Sequence, residues 1–124
     1  MIHVKTDKAP AAIGPYSQGM RTGNLIFFSG QLGIDPATGK MAGDDVKSQA
    51  NQVLKNVKGL LESQGLTMNS VVKSTMFLAD MNDFKEVNVI YEAAFGAHRP
   101  ARSTIQVARL PLDARVEIEC IAEV

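Results

Sequence analysis

Residues 25–28 read Leu-Ile-Phe-Phe, four large apolar side chains in succession. Successive side chains of a strand point to opposite faces, so this run puts apolar groups on both sides of a sheet. An antiparallel sheet with one solvated face would alternate instead. The strand therefore needs cover twice. A chain of 124 residues, 45% of them hydrophobic, can build one core without disulfides or metals. In a chain this small the second cover is expected from another subunit.

The run is the second arm of a hairpin in "SQGMRTGNLIFFSGQL" (17–32), with Gly23 supplying positive φ at the turn. "IHVKT" (2–6) is a short first strand, and the Pro- and Gly-containing segment 7–16 is extended loop. A second loop covers 35–43. Val46, Ala50, Val53, Val57, Leu60 and Leu61 recur at three- and four-residue spacing and predict a helix from about Asp45 to Gln64. Asp44 or Asp45 can cap its start, and Gly65 stands where a C′ glycine belongs. "NSVVKSTMFLAD" (69–80) reads as a strand, and "NDFKEVNVIYEAAFG" (82–96) as a second helix with Asp83 and Glu86 as capping box. Its apolar stripe is Phe84, Val87, Tyr91 and Ala94. Asn88 lies in that stripe, and a buried amide there needs a partner. The last quarter reads as a hairpin of "ARSTIQVA", the connection "RLPLDA" and "RVEIECIAEV". The order β-β-β-α-β-α-β-β describes an α+β fold, a single domain over residues 1–124 with two helices on one face of a mixed sheet.

Alternation within that final hairpin sorts its side chains. Ile105 and Val107 should join Val116, Ile118 and Cys120 against the helices. The opposite face then carries Arg102, Thr104 and Gln106 from one strand, and Glu117, Glu119 and Ile121 from the other. Closing the hairpin symmetrically sets Thr104 near Glu119 and Arg102 near Ile121. Two readings stand side by side. One is a solvated charged face with rim ion pairs, each worth about 0–1 kcal/mol. The other is an oligomer interface, demanded by Leu25–Phe28, whose charges are paired or used. Ser29 and Gly30 end the apolar strand with a hydroxyl and a close-approach glycine, as suits either a turn or a pocket wall.

Lys+Arg and Asp+Glu balance at 13 each, and the cations are scattered, so no nucleic-acid partner is expected. The N-terminus lacks a signal-peptide pattern. No stretch approaches a membrane span. The lone Cys120 cannot form an internal disulfide and reads as a small buried hydrophobe. A cytoplasmic setting is therefore expected. His3 and His98 fit no metal-ligand spacing, and no glycine loop has phosphate-binding spacing.

The run Pro100-Ala101-Arg102-Ser103-x-Ile105-x-Val107-Ala108-x-Leu110, followed by Val116-Glu117-Ile118-Glu119, resembles the signature of the RidA family of reactive intermediate, or enamine/imine, deaminases. "AIGPYSQG" (12–19), "FFSGQLGIDPATG" (27–39) and "VNVIYEAAFG" (87–96) match as well, so the resemblance covers essentially the whole chain. It implies a chorismate-mutase-like fold and a homotrimer with a central barrel and clefts at the subunit boundaries. The implied reaction is hydrolysis of 2-aminoacrylate, 2-iminobutanoate and related species to 2-keto acids and ammonia, without cofactor or metal. Arg102 would clamp the substrate carboxylate through its planar fork. Glu119 would orient water and move protons, and the backbone of Thr104 would orient the attacking water. Tyr16, Ser29, Gly30 and Asn88 match cleft residues, Tyr16 and Ser29 from across the interface. Glu117 reads as a solvated or interface charge. Relatives carry cysteine at position 104, and the connection "GAHRP" before the signature is short. Two other functions stay open: a binding module for small carboxylates, and an RNase or translation inhibitor, which the neutral charge balance disfavours.

Overall fold

The computed structural model describes residues 1–124. In chain order the elements are β1 (Ile2–Val4), β2 (Gly19–Thr22), β3 (Leu25–Gln31), β4 (Ile34–Asp35), β5 (Lys40–Met41), α1 (Val46–Ser63), β6 (Val71–Leu78), α2 (Phe84–Phe95), β7 (Ala101–Gln106) and β8 (Val116–Glu123). Six strands form one sheet in the order β1-β2-β3-β8-β6-β7. All its neighbours are antiparallel except β6 and β7, which run parallel. β4 and β5 make a separate two-stranded ribbon inside the segment expected to be plain loop.

Both helices pack on one face of the mixed sheet, as the apolar spacing predicts. Asp45 caps α1 by accepting a hydrogen bond from the Ser48 amide at 2.9 Å. Gly65 takes φ +72° just past its end. Val53, Val57, Leu60 and Leu61 of α1 and Val87, Tyr91 and Phe95 of α2 are buried against Ile26, Phe28, Met76, Leu78, Val116, Ile118, Cys120 and Ala122 of the sheet. In the Leu25–Phe28 run, Ile26 and Phe28 enter this core, while Phe27 on the other face stays 45% exposed.

The expected final hairpin does not form. β6 lies between β7 and β8 and pairs with both. Thr104 stands opposite Met76, and Glu119 opposite Thr75, so the two are not neighbours. The cause is the connection through α2. A parallel pair needs a crossover of about a dozen residues or more, and the helix supplies it between β6 and β7. The short 107–115 link then carries the chain past β6.

The facing of β7 is also the reverse of the expectation. Arg102, Thr104 and Gln106 stand level with Ser74, Met76 and Leu78, which are core residues, and so point to the helix side. Ile105 points away from the helices and is 47% exposed. It joins Phe27, Phe77 and Ile121 on an outer face that is apolar in patches, so alternation misled because both faces accept isoleucine. The Asp83–Glu86 capping box is absent as well. A short 3-10 turn, Met81–Asp83, precedes α2, and Asp80 caps that turn through the Asn82 amide at 2.8 Å.

The long N-terminal loop is held against α1 at Gly59, in the middle of the helix. A Cβ there would lie 2.3 Å from the Lys8 carbonyl oxygen. Alanine is the better helix former by about 1 kcal/mol, yet Gly59→Ala is expected to destabilise by about 1–3 kcal/mol through overpacking. Denaturant unfolding of the two proteins checks the sign.

Candidate active site

The sheet separates the residues singled out from the sequence into two groups. The first lies where the edge strand β7 meets α2. Arg102 Nη1 donates to Asn88 Oδ1 at 2.8 Å, so the amide in the apolar stripe has a partner. The guanidinium carbon stands 4.7 Å from the centroid of the Tyr91 ring and 5.5 Å from that of Phe84. Cation–π contacts of this kind contribute about 0.5–2 kcal/mol, more as water is excluded. The Tyr91 hydroxyl shares a 2.6 Å hydrogen bond with Ser74 Oγ. Burial pushes the Tyr91 phenol up, against the pull of Ser74 and Arg102, so the ring stays neutral beneath the cation. Arg102 is thus oriented by an amide, two aromatic faces and a buried phenol–serine pair. It borders a cavity of about 330 Å³ with Asn88, Tyr91, Glu92, Phe95 and Arg99. Only one guanidinium nitrogen is engaged by Asn88, which leaves donors to take a carboxylate. The hydroxyl oxygen of Thr104 is buried nearby on β7 without a hydrogen-bond partner.

The second group lies around a bulge in β3. Phe28 pairs with Cys120 and Gln31 with Ile118, so Ser29 and Gly30 together stand opposite Glu119. Ser29 Oγ donates to the Ser17 carbonyl at 2.6 Å, and the Ser29 amide to the Gln18 carbonyl at 2.9 Å. These bonds tie the bulge to the loop carrying Tyr16, which is 55% exposed beside a groove of about 980 Å³. What approaches Gly30 is Glu117. A Cβ on Gly30 would lie 2.8 Å from Glu117 Oε1. Glu117 is half-buried with no ion pair, and burial, then the neighbouring Glu119, pushes its carboxyl up. Glu119 is exposed on the same strand face. The sequence reads Glu117 as a solvated or interface charge; the structure makes it the group that the close-approach glycine Gly30 accommodates.

Within one protomer the two groups do not meet. Arg102 is on the helix face of the sheet, level with Ser74, whereas Glu117 and Glu119 are on the other face, level with Phe77 and Thr75. Both histidines are engaged elsewhere. His3 Nδ1 shares a hydrogen bond with Ser17 Oγ at 2.7 Å, and His98 Nε2 bonds the Val71 carbonyl at 2.6 Å. No group of three or more His, Cys, Asp or Glu side chains converges as a metal site would require. No helix is long and apolar enough to cross a membrane.

A family model described as Endoribonuclease L-PSP matches residues 6–124. Salmonella typhimurium 2-iminobutanoate/2-iminopropanoate deaminase is 51% identical over 122 residues, 96% of this chain and 94% of that protein. The chain belongs to the RidA family. The chloroplastic Reactive Intermediate Deaminase A of Arabidopsis thaliana is 56% identical over 119 residues, 96% of this chain and 64% of the plant protein. The crystal structure of Escherichia coli TdcF with bound serine superposes with a TM-score of 0.95 at 42% identity, covering 100% of this chain and 99% of that one.

In this RidA-family chain the raised Glu117 carboxyl has a sign that can be tested. The folded protein holds the proton to higher pH than the unfolded chain does, so stability falls as pH rises from the ordinary carboxylate value through the raised one. Glu117→Gln removes that dependence. It should unfold at higher denaturant than the parent at pH 7, with the difference closing below about pH 4. Parallel urea titrations across pH measure it.

Proposed function

We infer that this chain hydrolyses reactive 2-enamine and 2-imine acids, such as 2-aminoacrylate and 2-iminobutanoate, to 2-keto acids and ammonia. It is a 2-iminobutanoate/2-iminopropanoate deaminase, the activity named for the Salmonella relative at 51% identity over nearly full length. The single observation that carries the reading is Arg102, braced by Asn88 and Tyr91 beside a cavity of about 330 Å³. A fork so held receives a carboxylate bidentately and fixes the neighbouring C=N carbon. Water adds to that carbon, and the nitrogen takes a proton. The hydroxyl proton of the resulting carbinolamine is passed to its nitrogen, and ammonia leaves as the C–N bond breaks and the C=O bond forms. The enamine reaches the same imine by protonation at its β-carbon.

These steps need a group that gives and takes protons. Glu117 meets the requirement better than Glu119. It is half-buried on Gly30, and its carboxyl is raised, whereas Glu119 is exposed. We therefore assign the acid–base role to Glu117, and the edge-strand backbone of Thr104 to the attacking water. Tyr16, Ser29 and Gly30 form the opposite wall.

Because the two groups lie on opposite faces of one sheet, a second copy must bring its Glu117 group to Arg102. The arrangement proposed is a homotrimer whose outer sheet faces close a central barrel. Phe27 and Ile105, each nearly half-exposed, are then covered, and Leu25–Phe28 gains its second cover. The cytoplasm is the setting that fits Cys120, a buried free thiol whose pKa is pushed up to about 12. Neither cofactor nor nucleic acid enters the scheme.

The family model's description favours a second reading, ribonuclease activity. RNA cleavage that tracks the purified protein and survives Arg102→Ala would support it. The TdcF structure with bound serine suggests a third, carboxylate binding without turnover, which calorimetry with no product release would reveal.

Coupling purified threonine dehydratase to this protein and following 2-keto acid release tests the main reading. Acceleration over spontaneous hydrolysis is expected, and its absence would sink it. Arg102→Ala should lower kcat/KM on the order of 10²-fold or more by loss of positioning. Glu117→Gln should remove most of the rate, and Glu119→Gln should retain most of it. The reverse order would return the acid–base role to Glu119. Light scattering should give three times the chain mass, and a monomer would remove the composite cleft.

A further inference from the structure

The segment that carries Tyr16 has no regular structure. From Lys5 to Ser17 the chain runs without helix or strand, yet a residue of the cleft wall must hold its place to within a fraction of an ångström. One buried side chain beneath the loop gathers its backbone. Gln18 is 4% exposed. Its Oε1 accepts from the Thr6 amide at 2.7 Å. Its Nε2 reaches the carbonyls of Thr6 at 3.0 Å, Ala9 at 3.3 Å and Pro10 at 2.8 Å. Every hydrogen bond of this side chain goes to the one loop. The main chain of the same residue faces the other way, and its carbonyl accepts the Ser29 amide at the β3 bulge. Ser17, one residue earlier, accepts Ser29 Oγ.

We propose that Gln18 is a positioning residue for the reaction, a two-sided clamp whose side chain fixes the Tyr16 loop while its main chain fixes the Ser29–Gly30 bulge. It does not touch the substrate. It sets the distance between Tyr16 and the bulge on which Glu117 rests, and so the shape of one wall of the cleft. The inference rests on the reading of Tyr16, Ser29 and Gly30 as that wall. The physics is that of a buried polar hub. One amide and three carbonyls of the loop, part-buried or buried, converge on one side chain whose two N–H donors are shared among the three oxygens, which favours one placement of the loop. A glutamine is required because it offers both an acceptor and two donors on one planar group. Glutamate keeps the acceptor but sets a second oxygen against three carbonyls. Methionine keeps the length and offers neither.

The chain has two tyrosines and no tryptophan. Fluorotyrosine labelling therefore gives two ¹⁹F resonances, one for each half of the site: Tyr16 beside the clamp, and Tyr91 under Arg102. Tyr16→Phe assigns them. In Gln18→Glu and Gln18→Met the Tyr16 resonance should move toward the free amino-acid position and sharpen, while that of Tyr91 stays. Turnover in the coupled assay, corrected for folded fraction, should fall about tenfold or more in kcat with KM little changed, because the carboxylate still meets Arg102. An unmoved Tyr16 resonance in a folded variant overturns the proposal, and so does an equal movement of both tyrosines. If neither variant folds, amide exchange in the parent protein decides. Slow exchange at Thr6, a loop residue, supports the clamp, and exchange at the random-coil rate overturns it. Failure of the deaminase reading is separately visible, since an inactive parent protein leaves the ¹⁹F result unaffected.

Discussion

The parallel pairing of β6 with β7 controls where the chemistry of this chain sits. Because two parallel strands cannot be joined by a tight turn, α2 must pass over the sheet between them. The helix face of the β6–β7 pair then lies under α2, and a side chain on that face near the start of β7 meets helix residues. Arg102 occupies that face, level with Ser74. Asn88, Tyr91 and Phe84 of α2 are therefore the groups that receive its guanidinium. The same pairing forces β8 to the far side of β6. There its alternate residues Glu117 and Glu119 point to the opposite face, away from Arg102.

Much of the fold was legible from local patterns. The period of Val46 to Leu61 located α1 to within a residue or two, Asp45 and Gly65 marked its ends, and Gly23 marked the first hairpin. These features depend on a few neighbouring residues, which a sequence displays directly. Strand order is different in kind. Nothing local says that Ala101–Gln106 pairs with Val71–Leu78 in preference to Val116–Glu123. That choice is set by the crossover helix, and the sheet places β6 between two segments adjacent in sequence. The facing of β7 was illegible for a second reason. Ile105 is apolar, yet it lies on the outer face, where Phe27, Phe77 and Ile121 also lie. A sheet destined for cover on both sides removes the contrast on which alternation arguments rely.

The site was legible in part. Arg102 and Asn88 were each singled out, and the structure brings them within hydrogen-bond distance, though on the side of the sheet opposite to the one expected. Gly30 and Ser29 were marked as a close-approach pair, and the approaching group is Glu117. The proposal of Glu117 over Glu119 starts from Gly30, which lies in a bulge that sets two residues of β3 against one of β8. A bulge shifts register by one, and such a shift leaves no trace in the composition of either strand.

A division of labour follows from these placements. The Arg102 group is built on a helix and a strand, and its members hold one another through an amide, a ring face and a buried phenol. The Glu117 group is built on a bulge and an irregular loop, which secondary structure does not steady. Rigidity there has to come from side chains that bond to backbone, and Gln18 and Ser29 are the ones that do so. A carboxylate clamp tolerates little variation in its anchor, because a bidentate pair has one geometry. The sheet keeps the two apart within one chain, so in the proposed homotrimer assembly would both complete the cleft and close the apolar outer face. Burial of the half-exposed Phe27 and Ile105 would supply driving force for such an assembly. In the proposed reaction Glu117 of one copy and Arg102 of another would then act on the same substrate.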